Sequence, residues 1–227
     1  MSTRMVEVRA KVLKQNDLLA RALRERFRKE GTCVVSLVSS PGSGKTALLE
    51  KLLADLARDS RVAALVGDLA TENDAERLRR ATPNVKQITT GTVCHLDARM
   101  VARALAVFPV DQLDLLVIEN VGNLICPASF DLGEGLRVVV CSVAEGAEKP
   151  RKYPVMFHKA DVVLINKIDL AEASDVDLNE LEANIRSVNP SAAIFKLSCK
   201  TGLGLGEWTD WLERAVTTRR VSTLVGA

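Results

Sequence analysis

The sequence predicts an α/β protein with a doubly wound, mostly parallel sheet of about seven strands, flanked by helices and preceded by an N-terminal helix. Three observations support this prediction. Short apolar runs alternate with helical patterns, and most of these runs are continuously apolar, as in strands covered on both faces. A glycine-rich turn also joins the first run directly to an amphipathic helix.

The elements can be placed in order along the chain. Residues 5–29 have helix-forming composition, and Gly31 ends that helix. Strands are predicted at 33–38, 62–67, 85–88, 113–119, 136–143, 161–166 and 193–198. Helices are predicted at 44–58, 72–80, 96–107, about 177–188 and 206–216. The stretch 120–135 has no clear pattern, and connections of that length are usually functional or mobile.

Composition limits the function classes. The formal net charge of +2 gives no reason to expect nucleic acid or an anionic membrane as a partner. The sequence has neither an apolar run near the ~18 residues that span a bilayer nor a signal-peptide core. We therefore expect a cytoplasmic protein, in which five cysteines are core thiols, metal ligands or reactive groups rather than disulfides.

Residues 39–46, SSPGSGKT, follow the first strand and open a helix, which is the context of a phosphate-binding loop. Lys45 can reach the β- and γ-phosphates, and the Thr46 hydroxyl can bind Mg²⁺. Ser39 stands where the usual pattern begins with glycine, so the alternative is a glycine-rich turn without a ligand. The predicted phosphate-binding residues are Ser40, Pro41, Gly42, Ser43, Gly44, Lys45, Thr46 and Ala47.

The base is predicted by two further strand ends. Residues 166–169 are NKID, and Asp169 can accept two hydrogen bonds from guanine that adenine does not offer. Residues 198–201, SCKT, resemble the SAK loop of GTPases. Ligands of such sheets bind at the carboxyl ends of the strands, which is where NKID and SCKT both stand. The two motifs therefore favour GTP and GDP over ATP. The predicted base-binding residues are Asn166, Lys167, Asp169, Ser198, Cys199 and Lys200.

A γ-phosphate sensor is predicted where LDLLVIENVG ends a middle strand. Glu119 and Gly122 look like the DxxG switch with Glu in place of Asp, and Asp68 is a second carboxylate for Mg²⁺ beside Thr46. The alternative for each acid is a solvated or capping role, and Asp74 fits an acid in the first turn of a helix. With Lys45, Glu119 and Gly122 as the catalytic set and no obvious general base, hydrolysis should be slow without a partner.

A metal site is predicted from Cys94, His95 and Cys126. Thiolate and neutral imidazole suit Zn²⁺ or Ni²⁺, and Cys94 lies just before a predicted helix, at a helix N-terminus where a thiol pKa is lowered. Cys126 lies in the long loop as an exposed thiol without a packing reason, whereas Cys33 and Cys141 lie in apolar strands as core thiols.

A tetrahedral metal site takes four ligands, and these residues supply three, so water or a second chain provides the fourth. A two-fold dimer would bring six ligands together. The chain from Gly122 to Cys126 reaches at most ~14 Å, so closing the sensor on γ-phosphate must move a metal ligand. The pair at 94–95 is thus interpreted as a metal site that the nucleotide opens and closes.

Together these stretches resemble the nickel-incorporation GTPases of hydrogenase maturation, the HypB family of metal chaperones in the SIMIBI class of P-loop GTPases. The resemblance covers about residues 16–205 and rests on SSPGSGKTALLE, GDLATENDAERL, TTGTVCHLDARMV, ENVGNLICPASFDLGE, SVAEGAEKPRKYP and NKIDL. It implies a GTPase domain at 31–216, after a helical extension at 1–30 and before a tail at 217–227 for which the sequence allows disorder.

The resemblance also implies a GTP-dependent homodimer that delivers Ni²⁺ to the large-subunit precursor of [NiFe]-hydrogenase, aided by a zinc-containing nickel chaperone. Cys94, His95 and Cys126 would bind metal at the dimer interface. No cysteine precedes Cys33 and no histidine-rich stretch occurs, so nickel storage is not expected. Two alternatives stay open: a regulatory GTPase with incidental cysteines, and an ATP-dependent kinase of the same fold.

Overall fold

The computed structural model describes residues 3–68, 73–107 and 112–225. Within them lie seven strands: β1 Cys33–Ser39, β2 Val62–Asp68, β3 Val85–Thr89, β4 Leu115–Glu119, β5 Leu136–Ser142, β6 Val162–Asn166 and β7 Ala193–Lys196. They form one sheet in the order β3-β2-β4-β1-β5-β6-β7, and every neighbouring pair is parallel. The predicted fold class is confirmed, and the sheet is wholly parallel rather than mostly so.

The helices of the described ranges are α1 Thr3–Glu30, α2 Lys45–Leu56, α3 Asn73–Arg79, α4 Ala98–Ala104, α5 Lys149–Lys152, α6 Pro154–His158, α7 Leu178–Val188 and α8 Leu205–Val225. Sequence patterns missed the short helices α5 and α6, which are too brief to show a period. The last helix runs on through most of the segment assigned to a tail at 217–227; residues 226–227 lie outside the described ranges, as does residue 72 of the third predicted helix.

The continuous apolar runs are explained by burial on both faces. Every residue of β1, β4, β5 and β6 is buried. Helices α2, α3 and α8 pack on one face, while α1 and α4, together with α6 and α7, cover the other. Cys33 and Cys141 lie inside these layers, so their prediction as core thiols is confirmed.

Parallel pairing brings all strand carboxyl ends to one edge of the sheet. Leu37 in β1 pairs with Glu119 in β4, and Ser142 in β5 pairs with Asn166 in β6. The loops that follow these strands therefore meet at that edge, where ligands of doubly wound sheets bind. None of the helices in the described ranges is long and apolar enough to cross a membrane.

Candidate functional site

The phosphate-binding loop connects β1 to α2. Gly44 caps α2 in the left-handed region at φ 96°, and a Cβ there would collide with the amide of Asn166. The amino group of Lys45 donates a hydrogen bond to the Ser39 hydroxyl over 2.8 Å. Ser39, in place of the usual glycine, therefore holds the lysine side chain over the loop.

Lys45 is buried, and burial lowers the pKa of its amino group, whereas the charges of Glu119, Asp74 and Glu145 raise it. A buried ammonium at the mouth of a helix N-terminus attracts a polyanion. The loop around it is open: Pro41 and Gly42 are exposed, and Ser40, Thr46 and Ala47 are half-buried.

Asn166 joins the three loops that sequence reasoning had assigned to one nucleotide. Its amide donates to the Ser43 carbonyl over 2.8 Å, and its side-chain oxygen accepts from the main-chain N–H of Cys199 at 3.2 Å. Lys167, at φ 62°, donates from its amino group to the Gly42 carbonyl over 2.7 Å. The phosphate loop and both predicted base loops are thus bonded to one another.

Asp169 and the SCKT loop also meet. The Ser198 hydroxyl donates to the Asp169 carboxylate, and the same hydroxyl accepts from the main-chain N–H of Thr201 at 3.1 Å. Asp169 and Lys200 are exposed, so they form an open rim beside the buried Ser198. Guanine recognition by Asp169 stays a prediction, and this rim is accessible to a base.

Glu119 faces the phosphate loop from the end of β4. Its Oε1 accepts from the Thr46 hydroxyl at 3.0 Å, while its Oε2 is buried and has no hydrogen-bond partner among the described residues. Burial raises the Glu119 pKa to about 7, against the opposing charge of Lys45. A buried carboxylate oxygen beside a threonine hydroxyl is suited to Mg²⁺, which takes such hard oxygen ligands.

Gly122 lies against the phosphate loop, as a sensor of that loop requires. A Cβ at this position would come within 3.2 Å of the backbone and ring of Pro41. Glycine therefore permits the close approach of the two segments.

The structure gives Asp68 and Asp74 different relations to the phosphate site. Asp68 ends β2, where its main-chain carbonyl accepts from Thr90 at 2.9 Å, and its role toward Mg²⁺ stays a prediction. Asp74 lies in the first turn of α3, as considered, yet its charge acts on both Lys45 and Glu119. Asp74 is therefore a site residue that the sequence suggested only as a helix-turn acid.

Glu145, which sequence reasoning missed, also contacts the phosphate loop. Its carboxylate accepts from the Ser43 hydroxyl and from the Ser142 main-chain N–H at 3.1 Å, and it pairs with Lys149 at 2.8 Å. Burial alone would raise the Glu145 pKa, but the bonds from Lys149 and Ser43 lower it. Its sequence signals were its place three residues after the end of β5 and its position within SVAEGAEKPRKYP.

The predicted metal ligands come together. The Sγ atoms of Cys94 and Cys126 are 3.1 Å apart, and one ligand atom from each of Cys94, His95 and Cys126 lies within 4.8 Å of the others. Among the described residues this is the one group of three such side chains with metal-ligand spacing. Two thiols and an imidazole are the donor set that Zn²⁺ and Ni²⁺ accept.

His95 is prepared for such a role. Its ring stacks on Phe130 with centroids 3.9 Å apart, and its Nδ1 is buried without a hydrogen-bond partner among the described residues. Burial lowers the His95 pKa, which favours the neutral imidazole that binds metal. Phe130 fixes the ring and was not predicted.

Two expectations about the thiols were wrong. Cys94 lies just before a helix, as predicted, with α4 beginning at Ala98 and capped by Asp97, but the lowered pKa expected of its thiol is wrong. The Cys94 pKa is raised, first by its hydrogen bond with the Cys126 thiol and then by burial. Cys126 begins a short 3-10 turn and is half-buried rather than exposed, whereas Ile125 beside it is 67% exposed.

The chain is similar in sequence to a known protein family. Residues 33–196 match the model of the CobW/HypB/UreG nucleotide-binding domain. The chain is 47% identical over 219 residues to the hydrogenase maturation factor HypB of Azotobacter vinelandii, an alignment covering 96% of this chain and 72% of that protein.

Two solved structures share the fold. The hydrogenase maturation factor HypB of Archaeoglobus fulgidus superposes with a TM-score of 0.84 at 42% identity, covering 89% of this chain and 99% of that one. HypB of Helicobacter pylori, solved in complex with nickel, superposes with a TM-score of 0.85 at 40% identity, covering 91% and 97%.

Proposed function

This chain belongs to the CobW/HypB/UreG nucleotide-binding family, within the HypB hydrogenase maturation factors, and on that premise we propose a GTP-dependent metallochaperone that carries nickel. The observation that carries the proposal is continuity between two sites. Strand β4 ends with Glu119 at the phosphate loop, and the segment that follows reaches the thiol of Cys126 seven residues later.

Nucleotide binding rests on three contacts of the chain itself. Lys45 would neutralise phosphate charge, and Asp169 would accept from the guanine base. Thr46 and Glu119 would hold Mg²⁺ at the Glu119 Oε2 atom, which has no hydrogen-bond partner among the described residues. Bound Mg²⁺ would draw charge from the β- and γ-phosphates. Because no side chain among the described residues is placed as a general base, hydrolysis would proceed by positioning and electrostatics and would be slow.

Nickel enters the proposal as cargo rather than as a resident cofactor. Cys94 and Cys126 would release protons when they bind it, whereas burial lowers the His95 pKa and so favours the neutral ring that binds metal. Zn²⁺ accepts the same ligands and would compete. A three-ligand site is easier to empty than a closed four-ligand one, which suits delivery rather than storage.

A second copy of the chain is proposed to complete the site. The ligands are half-buried near the exposed Ile125, so a partner subunit can approach them. A two-fold axis there would bring two identical ligand sets together. GTP and metal would both favour that homodimer.

The remaining partners follow from the family. We assign delivery to the large-subunit precursor of [NiFe]-hydrogenase, with a zinc-containing nickel chaperone supplying or sharing the metal. A cytoplasmic location fits five free cysteines, since a reducing compartment keeps thiols available to a metal.

The test measures nucleotide turnover, metal content and mass of the purified protein together. We expect preference for GTP over ATP, one metal ion per chain or per dimer, and more dimer with a GTP analogue than with GDP. Preferred hydrolysis of ATP would instead favour a kinase of the same fold. GTP turnover without stoichiometric Ni²⁺ or Zn²⁺ binding would leave a regulatory GTPase with incidental cysteines.

A further inference from the structure

Two asparagines connect the nucleotide sensor to the metal ligands. We call residues 119–122 the sensor and residues 94–96 the Cys-His arm. Asn120 is 2% exposed, and its side-chain oxygen accepts from the main-chain N–H of Val121 at 2.9 Å and of Leu96 at 3.0 Å. One buried atom therefore joins the sensor to the residue that follows His95.

Asn123 makes the second connection, between the two thiol-bearing segments. Its amide donates to the Cys94 carbonyl over 3.2 Å, and its side-chain oxygen accepts from the main-chain N–H of Ile125 at 2.9 Å. It directly follows Gly122 of the sensor and lies three residues before Cys126. Each of its bonds ends at a metal ligand or next to one.

We propose that Asn120 and Asn123 are positioning residues that transmit the nucleotide state to the metal site. The proposal rests on the proposed function, because it concerns how the same site is regulated. When Gly122 follows the γ-phosphate, the flanking asparagines move with it, and their bonds pull the Cys-His arm. Without those bonds, a movement of Gly122 would reach the metal site only through the chain from Gly122 to Cys126.

Metal binding is sensitive enough for this device to matter. Bonds to Zn²⁺ have lengths of about 2.0–2.3 Å, so a shift of a fraction of an ångström in one ligand changes affinity. The Sγ atoms now lie 3.1 Å apart, whereas two thiolates on one tetrahedral ion at about 2.3 Å lie roughly 3.7 Å apart. The Cys-His arm and the segment that carries Cys126 must therefore move relative to each other when metal binds, and the asparagine bonds govern that movement.

Asn16 in α1 offers a matched control, because its side chain joins two residues that follow the thiols in the chain, Ala98 after Cys94 and Asp131 after Cys126. Its amide donates to the Asp131 carbonyl over 2.8 Å, and its oxygen accepts from the Ala98 main-chain N–H at 2.9 Å. These bonds hold Ala98 and Asp131 against α1, and neither of them goes to a residue of the sensor. Asn16 should therefore affect how well the site is formed, without conveying the nucleotide state.

The experiment titrates Ni²⁺ into the GDP form and the GTP-analogue form of the full chain, and the readout is the ratio of the two affinities. Asn123→Asp keeps the acceptor for Ile125 and loses the donor to Cys94. Asn16→Asp keeps the acceptor for Ala98 and loses the donor to Asp131. Each adds one negative charge, and any general attraction for Ni²⁺ cancels in the ratio. Asn123→Ala repeats the test without added charge.

Wild type should show a ratio of about 5- to 150-fold, the usual range of coupling between two sites. Both Asn123 variants should lower the ratio several-fold toward one, because only the Asn120 bonds and the chain from Gly122 to Cys126 then still respond, while Asn16→Asp keeps the wild-type ratio. The proposal is overturned if the Asn123 variants keep that ratio, or if Asn16→Asp loses it as well. A ratio of one in wild type would contradict the proposed function itself, so the two failures are distinguishable.

Discussion

The nucleotide end and the metal end of the molecule are built in different ways. At the nucleotide end, side chains come from strand ends and are buried in place: Ser39 and Ser198 are each 0% exposed, and Asn166 is 1% exposed. At the metal end, Cys94, His95 and Cys126 are half-buried on connections, and their neighbour Ile125 is exposed.

The difference separates a fixed site from an adjustable one. Strand ends held by a parallel sheet cannot shift without disturbing the core, so the nucleotide meets a preformed cradle. Loop segments joined by side-chain amides can take more than one arrangement at small cost. A carrier needs both properties, because it must recognise GTP reliably and still release its metal.

The largest effect is expected at the fixed end. Lys45→Ala should remove GTP hydrolysis, by at least about 10²- to 10³-fold, because preorganised charge at the reacting phosphate is lost. Metal binding in the absence of nucleotide should be preserved. Turnover under saturating GTP is the measurement, with the exposed Lys86→Ala as a charge-matched control. Retained turnover would place the phosphate site elsewhere.

Base recognition should respond nearly as strongly. Asp169→Asn should weaken GTP binding by about 10²-fold or more, since two bonds to a charged acceptor are worth roughly 1.5–3 kcal/mol each. Xanthosine nucleotides should bind better, because the amide donates where xanthine has a carbonyl. Competition between the two nucleotides checks this. Unchanged GTP affinity would remove Asp169 from the base site.

At the adjustable end, Cys126→Ala should weaken Ni²⁺ and Zn²⁺ binding by more than the 10- to 100-fold that loss of an outer-shell partner costs. Metal-dependent dimerisation should weaken with it, while GDP affinity stays near normal. Cys141→Ala, which alters a buried thiol in β5, is the control. Metal binding equal to wild type in Cys126→Ala would remove this ligand from the site.

The smallest effect concerns the pH dependence of stability without nucleotide. Glu119 has a folded-state pKa of about 7, against an ordinary value of 4.5 for a glutamate, so it favours the folded state at low pH and loses that contribution as pH rises through about 7. The loss between pH 6 and pH 8 is about 1.4 kcal/mol.

Urea unfolding of wild type and Glu119→Gln at both pH values isolates this contribution. Wild type should lose about 1.4 kcal/mol more than the variant between pH 6 and pH 8. Exposed Glu76→Gln should behave as wild type. Parallel changes in wild type and Glu119→Gln would mean that the buried carboxyl group does not titrate between pH 6 and pH 8, which would contradict a pKa of about 7.

The sequence was most informative about the buried strands and the metal ligands, because each of these requires particular residue types. Apolar runs predicted every strand described in the sheet to within about two residues, most clearly for β1, β4, β5 and β6, where burial on both faces demands continuous apolar sequence. The triad Cys94, His95 and Cys126 was predicted from residue type and place in the chain. Bonds that depend on a long-range fold were beyond reach: nothing local marks Phe130 as the ring under His95.

The asparagine connections show the same limit. Asn120 and Asn123 look like ordinary loop residues, which asparagine commonly occupies. Only the meeting of two strand ends gives their amides the partners Leu96 and Cys94. The thiol pKa was misjudged for a related reason, because it depends on the second thiol more than on the helix.

Reciprocity between GTP and metal tests the central claim most directly. Calorimetry would give the Ni²⁺ affinity of the wild-type GDP and GTP-analogue forms, and separately the affinities of GDP and of the analogue with and without Ni²⁺. A single coupled equilibrium predicts that Ni²⁺ changes the preference for the analogue over GDP by the factor by which the analogue changes Ni²⁺ affinity. We predict equal factors, both clearly different from one. Factors of one in both titrations would contradict a nucleotide-controlled metal site.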